Sequence, residues 1–206
     1  MQIHQIQCGP LQANCYLIEE SGAAVLIDCG GDGTEILAFA AEKGLKIKAV
    51  LLTHGHIDHI EGADRVVEQH QCPLYIHEKD AEFPYKASLN LSSQIYRMPI
   101  VLKTAAIPFK DGERLNIDSL EFDVIHTPGH TPGSVCFRFR EYLFTGDTLF
   151  YRSVGNEFPP YGDFALEIES IRHRLFTLES DFRCYPGHGE ATSLSYEKIN
   201  NPYCRV

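Results

Sequence analysis

The stretch LLTHGHIDHIEG, residues 51 to 62, places three histidines and an aspartate within six positions, directly after an apolar run. A buried imidazole or carboxylate is costly without a partner, so this crowding needs a physical cause. Residues two apart cannot share one face of a helix, so we place His54 and His56 on an extended turn with both imidazoles on one side. Asp58 and His59 are predicted at the start of the following helix. The four side chains should therefore converge at one strand end.

The residues before this stretch predict a mixture of strands and helix. Residues 2–8, 14–20 and 23–29 read as short strands, and residues 32–43 read as a helix that ends at Gly44. The run IKAVLLT, residues 47–53, is nearly continuous in apolar residues, as in a strand covered on both faces. This order predicts an α/β fold.

The second half repeats that order less regularly. After a helical stripe from Ile60 to Gln69, the predicted elements are the strand PLYIH at 73–77, strands at 120–126, 134–139 and 142–146, a helix at 163–178 and a strand at 182–186. Residues 80–100 lack clear periodicity and are predicted as a partly helical segment that could cover a site. Two sheet-and-helix halves packed sheet to sheet, helices outside, would bury the apolar faces.

Length and composition indicate one globular domain over residues 1–206, since 44% of the residues are hydrophobic and 22% are charged. A formal charge of −10 argues against nucleic acid or an anionic membrane surface as partner, and favours a small-molecule substrate. The oligomeric state is left open by the sequence.

Seven widely spaced cysteines form no C-x-x-C pair, so neither a disulfide framework nor a cysteine zinc site is indicated. The N-terminal residues lack a signal-peptide pattern, and no apolar run approaches the roughly 20 residues that span a bilayer. We therefore expect a cytoplasmic protein.

Three later residues of metal-ligand type also follow predicted strands. His130 lies in HTPGHTPGS, Asp147 in TGDTL and His188 in YPGHGE, each flanked by small or rigid residues. Taken alone, Asp147 could be a helix cap and His188 a surface residue. With the opening stretch they make seven groups. Zinc and similar ions take neutral imidazole and carboxylate, so seven groups suffice for two metals.

These motifs, together with NCYLIEE and LIDCGG, resemble the metallo-β-lactamase superfamily over nearly the whole chain. The resemblance implies a four-layer αβ/βα sandwich, two mixed sheets packed face to face with helices outside and a metal site at one edge. It also implies two divalent metal ions, most simply zinc, with iron or manganese as alternatives. The implied ligands are His54, His56 and His130 for one metal, Asp58, His59 and His188 for the second, and Asp147 as the bridge.

Within that superfamily the chain looks most like short bacterial glyoxalase II-like hydrolases. Asp147 differs from the cysteine usual in antibiotic-hydrolysing enzymes, and His56 differs from the glutamate typical of the flavodiiron branch. Typical glyoxalase II continues into a C-terminal helical domain that holds much of the glutathione-binding surface, and we expect no such domain here. Where many short relatives have a G-R-x-D-like segment, this chain has Asn156 and Glu157. Both departures weaken the expectation of glutathione specificity.

The function implied is hydrolysis by a metal-bridging hydroxide, with Asp147 as the bridge and Asp58 close to the nucleophile. A thiolate leaves without acid assistance and the motifs contain no dedicated acid, which favours a thioester (hydroxyacylglutathione-like) or lactone over an amide. The alternatives are an iron-dependent persulfide dioxygenase-like enzyme, a lactonase and, from another class, a non-catalytic metal-binding protein.

Several other residues have both a functional and a structural interpretation. The remaining histidines (His4, His70, His77, His126 and His173) are predicted to pack or to be solvated, with His126 at a strand end or supporting a ligand. Asp28 could orient a ligand histidine or cap a turn. Five residues after Asp147 are candidates to line a substrate pocket or to form a packed loop: Tyr151, Arg152, Asn156, Phe158 and Tyr161.

Overall fold

The computed structural model describes residues 1–158 and 160–206, and its centre is a pair of six-stranded sheets. The first has the order β1-β2-β3-β4-β5-β6, with the strands Gln2–Cys8, Ala13–Glu20, Ala23–Ile27, Lys46–Leu51, Leu74–His77 and Ala106–Phe109. The second sheet has the order β14-β13-β10-β9-β8-β7. Its strands β7 to β10 are Arg114–Ile117, Leu120–His126, Val135–Phe139 and Tyr142–Gly146. Its last two strands, β13 and β14, are Arg183–Pro186 and Thr192–Ser193. A small hairpin pairs β11 (Leu149–Phe150) with β12 (Ser153–Val154).

The described residues form six α-helices: α1 (Thr34–Lys43), α2 (Ile57–Ile60), α3 (Ala63–His70), α4 (Ser92–Ile95), α5 (Phe164–Ser170) and α6 (Leu194–Asn200). Of these, α1, α2 and α3 pack on the outer face of the first sheet, and α5 and α6 on that of the second. Two short 3₁₀ turns lie at Glu78–Asp80 and Phe83–Tyr85, and a π-helical turn at Ile171–Leu175 continues α5. Among the described residues, no helix combines the length and the apolar character needed to cross a membrane.

Strand alternation sorts the apolar side chains into layers. In β3, Ala24 and Leu26 join a cluster with α1 and α3, whereas Val25 and Ile27 point the other way into a cluster shared by both sheets. The second sheet contributes Phe137 and other aromatics to the shared cluster, and its outer face packs against α5, the π-helical turn and α6. The order helix, sheet, sheet, helix confirms the predicted four-layer sandwich.

Most predicted elements are present, and the differences have local causes. The helix predicted from Ile60 to Gln69 is two helices, α2 and α3, separated at Glu61 and Gly62. The helix predicted over 163–178 is α-helical only to Ser170, because the next turn adopts π-helical hydrogen bonding that apolar spacing does not distinguish. The seven cysteines are all buried free thiols.

Candidate metal centre

The residues of the opening stretch lie where β4 ends and α2 begins. β4 stops at Leu51, the chain then runs through His54 and His56 without regular structure, and α2 carries Asp58 and His59. His54 and His59 are 1% and 0% exposed. A buried imidazole must find a hydrogen-bond or metal partner for each ring nitrogen, so the surroundings of these rings indicate what they bind.

Three histidines are fixed through Nδ1. His59 Nδ1 lies 2.8 Å from Asp28 Oδ2, and His130 Nδ1 donates to the Asn156 carbonyl at 2.8 Å. Thr53 Oγ1 donates to Asp28 Oδ2, so it can only accept from His54 Nδ1, which lies 3.1 Å away. These contacts place the proton of each neutral ring on Nδ1, so the Nε2 atoms of His54 and His130 present lone pairs. Outer partners of this kind fix the tautomer of metal-binding histidines.

Asp28 therefore has the orienting role that its position after a strand suggested. It follows the end of β3, is 1% exposed, and accepts hydrogen bonds from both the backbone N–H and the hydroxyl of Thr53. One carboxylate thus positions the start of the histidine-bearing turn and the ring of His59. This residue links the two ends of the opening stretch.

The seven predicted ligands come together as two triads and a shared carboxylate. One ligand atom each from His54, His56 and His130 lie within 4.8 Å of one another, and the same holds for Asp58, His59 and His188. One ligand atom of Asp147 also lies within 4.8 Å of ligand atoms of His54 and His59, which belong to different triads. Its carboxylate lies 3.5 Å from His130 Nε2 and 3.6 Å from His188 Nε2. This arrangement matches the ligand sets implied by the resemblance, while the binding of metal by these residues remains a proposal.

The unpaired atoms of the cluster are suited to divalent cations. His54 Nε2 and Asp147 Oδ1 are buried without a hydrogen-bond partner in the described structure. His130 Nε2 has a lone pair that can accept from His56 Nδ1, 2.9 Å away, when no metal is bound. Gly187 leaves room for this convergence, because a Cβ there would stand 2.2 Å from Asp147 Oδ1. Imidazole and carboxylate at these separations fit zinc or a similar ion.

Burial and neighbouring charges set the protonation states. Burial, with His130 next to it, lowers the pKa of His56 to about 3, and burial also lowers the pKa values of His54 and His130. These three rings are neutral, as metal ligation requires. Burial alone would raise the pKa of Asp147 and lower that of His59; their mutual attraction reverses both, which leaves Asp147 ionised and His59 charged when no metal is bound.

Asp80 joins the two histidine-bearing loops, although no local motif in the sequence marks it. Its carboxylate is fully buried and accepts from the Gly55 N–H at 3.0 Å, the Gly133 N–H at 2.6 Å and the Thr131 hydroxyl at 2.7 Å. Gly55 lies between two predicted ligands, and Thr131 follows His130. Burial raises the pKa of Asp80 to about 6, with the three donors opposing that shift. We refer to these four residues as the Asp80 clamp.

A cavity of about 280 Å³ opens over the centre. Five of its lining residues are predicted ligands and form its floor: His56, Asp58, His130, Asp147 and His188. The walls are formed by Leu11, Leu91, Ile95, Phe150, Asn156 and Phe158.

The five residues that could line a pocket or form a packed loop divide between those two roles. Asn156 and Phe158 line this cavity, but Tyr151, Arg152 and Tyr161 do not. Tyr151 instead stacks on Tyr196, with 5.4 Å between ring centroids, and Tyr161 packs edge-on against Phe83. Leu91 and Ile95 belong to the segment 80–100, which the sequence predicts as partly helical and able to cover a site.

Glu167 is a second buried carboxyl near the centre that the sequence did not single out. It is 0% exposed on α5, and neither oxygen has a hydrogen bond of normal geometry within the described structure, although the Gly155 N–H lies near. Burial, followed by the negative charge of Asp147, raises its pKa to about 8. Glu167 is therefore mostly protonated at neutral pH.

Comparison with known proteins agrees with the fold. A family model described as the metallo-beta-lactamase superfamily matches residues 8–188. The probable metallo-hydrolase YqgX of Bacillus subtilis is 33% identical over 205 residues, 98% of this chain and 97% of that protein. The hydroxyacylglutathione hydrolase GloC of Haemophilus influenzae is 33% identical over 210 residues, 98% of each chain.

Solved structures show the same likeness. The BLEG-1 B3 metallo-beta-lactamase superposes with a TM-score of 0.95 at 34% identity over the whole of both chains. TTHA1623, in a di-iron-bound form, superposes with a TM-score of 0.85 at 35% identity, covering 97% of this chain and 99% of that one. The family match and the full-length identities lead to one conclusion: the chain belongs to the metallo-beta-lactamase superfamily.

Proposed function

We propose that this protein is a hydrolase with two divalent metal ions, acting on a thioester of a small molecule. The observation that carries the proposal is the pair of buried triads that share Asp147. When bound, two divalent ions would supply hydroxide at neutral pH and polarise the carbonyl under attack. A scaffold that only bound metal would need no cavity over such a centre.

The side chains of the chain supply positioning and proton acceptance. Burial would raise the pKa of Asp58, but the nearby imidazole of His59 and the hydrogen bond with His188 lower it overall, so Asp58 stays ionised at the cavity floor. From there its carboxylate can take up the proton released when water attacks the substrate. We assign Asp58 and Asp147 as the catalytic residues on this basis.

The leaving group decides between thioester and amide. No lysine, arginine or tyrosine is among the described residues that line the cavity, so apart from the predicted metal ligands no side chain there is placed to protonate an amine nitrogen. A thiolate departs without that help, and the relative named hydroxyacylglutathione hydrolase supports the same bond type. We propose zinc as the metal, with iron or manganese as alternatives, since a related structure is in a di-iron-bound form.

The test is metal analysis of the protein purified without added metal, followed by assays on thioesters, lactones and organophosphates. Two metals per chain with thioester turnover and no oxygen consumption are expected. Oxygen consumption by protein that contains a single iron would show that the reaction is persulfide oxidation and not hydrolysis. Absence of thioester turnover at full metal content would refute the proposal.

A matched pair of variants tests the shared carboxylate. Asp147→Asn removes one charge from the centre and should reduce turnover by about 100-fold or more and metal content below two per chain, since even outer partners of metal ligands contribute about 10- to 100-fold. Asp118→Asn, at the exposed turn between β7 and β8, makes the same chemical change outside the centre and should retain both. Equal activity in the two variants would remove Asp147 from the centre.

A further inference from the structure

Apart from Asn156, the walls of the cavity over the candidate centre are apolar, which bears on the class of substrate. Leu11, Ile95 and Phe158 are 41%, 37% and 40% exposed, and Leu91 and Phe150 complete the apolar surface. No described lining residue is a lysine or arginine. A thiol such as glutathione has two carboxylates, and proteins hold carboxylates most strongly through charge-assisted hydrogen bonds, which this cavity does not offer.

The apolar walls begin directly beside the predicted ligands. The ring of Phe158 stands edge-on to His56, 5.7 Å between centroids, and to His130 at 6.0 Å. Phe150 stands edge-on to His188 at 6.3 Å. A carbonyl carbon held at the centre would therefore place the carbon chain attached to it against these rings and the leucines.

Leu91 is held in this wall at an energetic cost. Its φ is +66°, a left-handed conformation that costs a bulky residue about 1–2 kcal/mol. The conformation is fixed by neighbours: the Asn90 carbonyl accepts from the Ile57 N–H at 2.8 Å, and Asn90 Oδ1 accepts from the Ser92 N–H at 3.0 Å. Ile57 begins α2, which carries two predicted ligands. The hydrogen bond between Ile57 and Asn90 therefore fixes both this wall and the start of that helix. An apolar residue that is held in a strained backbone conformation beside a reactive centre indicates a role in binding.

We infer that this cavity binds an uncharged, apolar acyl group of up to about eight carbons, an upper limit set by its 280 Å³ and about 30 Å³ per water-sized group. The inference rests on the proposed thioester hydrolysis and adds the substrate class: the enzyme recognises the acyl chain and makes no charged contact with the thiol.

The experiment uses the metal-loaded protein and thioesters of one neutral thiol, N-acetylcysteamine, with acyl chains from acetyl to decanoyl. Each methylene that enters the cavity should raise kcat/KM about fourfold, levelling off near eight carbons. The hexanoyl ester of glutathione should react within about threefold of the hexanoyl ester of N-acetylcysteamine. A flat chain-length profile, or a tenfold preference for hydroxyacylglutathione, would overturn the inference.

Two variants with the same backbone requirement show whether Leu91 forms the wall. Leu91→Asn keeps a residue that tolerates the left-handed conformation and removes the apolar surface, so the rise per methylene should fall below about twofold. Gln71→Asn, at φ +53° after α3 and outside the cavity, should keep the full rise. An unchanged profile in Leu91→Asn would contradict the assignment.

A binding measurement separates this inference from the proposed reaction. The thioethers S-butyl- and S-hexyl-N-acetylcysteamine cannot be hydrolysed, and calorimetry of the metal-loaded protein should show tighter binding of the hexyl compound with a negative heat-capacity change. If no thioester is hydrolysed but the hexyl thioether binds in this way, the proposed reaction is wrong and the inference that the cavity binds an apolar chain is supported. Binding without dependence on chain length would overturn the acyl site.

Discussion

Glu167 shows how a single buried carboxyl near the centre affects stability. In the folded protein its pKa is raised from 4.5 to about 8, first by burial and then by Asp147. Between these two values the folded state keeps a proton that the unfolded chain releases. The free energy of unfolding should therefore decrease as the pH rises through this window, by up to about 1.4 kcal/mol per pH unit for this one group.

Glu167→Gln removes this titration while keeping the size of the side chain. Urea unfolding at pH 5, 7 and 9, with metal saturating throughout, should show the variant gaining stability over the wild type as the pH rises. Glu179→Gln, an exposed glutamate, is the matched control and should follow the wild type at each pH. A constant difference between Glu167→Gln and the wild type from pH 5 to 9 would show that the carboxyl is ionised at every pH tested.

The Asp80 clamp belongs to the scale of the elements, because it joins the turn after β4 to the loop between β8 and β9. Asp80→Ala would leave the N–H groups of Gly55 and Gly133 buried without an acceptor, about 1–3 kcal/mol each. The two loops that carry His54, His56 and His130 would then loosen. Metal release to a colorimetric chelator should accelerate about 10- to 100-fold, the range by which the loss of outer partners of metal ligands lowers metal affinity.

Thr131→Val is the graded control for the clamp. It removes only the hydroxyl that donates to Asp80 and leaves both backbone N–H donors paired, so its metal release should lie between that of the wild type and of Asp80→Ala. The absorption spectrum of the cobalt-substituted protein reports ligand geometry separately from stability. If Asp80→Ala melts earlier but keeps the wild-type spectrum and release rate, the clamp supports the fold and has no influence on the centre.

These contacts also explain which elements the sequence could predict. The buried strands and the motif H-x-H-x-D-H were readable because alternation and ligand spacing are local. The contacts of Asp80 were not readable, since its partners Gly55 and Gly133 are 25 and 53 positions away. The edge strand β6 was missed because Ile107 is exposed and Pro108 interrupts the alternating pattern. The apolar wall at Leu91 depends on a left-handed backbone conformation, which no sequence motif predicts.

At the scale of the whole molecule, the candidate centre joins the two sheets. His54, His56, Asp58 and His59 follow β4 of the first sheet, whereas His130, Asp147 and His188 follow strands β8, β10 and β13 of the second. Each triad therefore combines two residues from one half with one from the other. Metal bound to both triads would hold the halves together, and its free energy of binding would add to that of folding.

Removal of metal should accordingly lower the melting temperature of the whole protein. Free metal at 1,000 times its dissociation constant contributes about 4 kcal/mol, which corresponds to roughly 8–16 °C for a chain of this size. The measurement is calorimetry of the protein before and after dialysis against a chelator, and again after metal is restored. His173→Ala, which alters an exposed histidine outside the centre, should show the full shift, whereas His188→Ala should show a smaller one. A shift below about 2 °C in the wild type, with metal content verified, would mean that the two halves hold together without the metal.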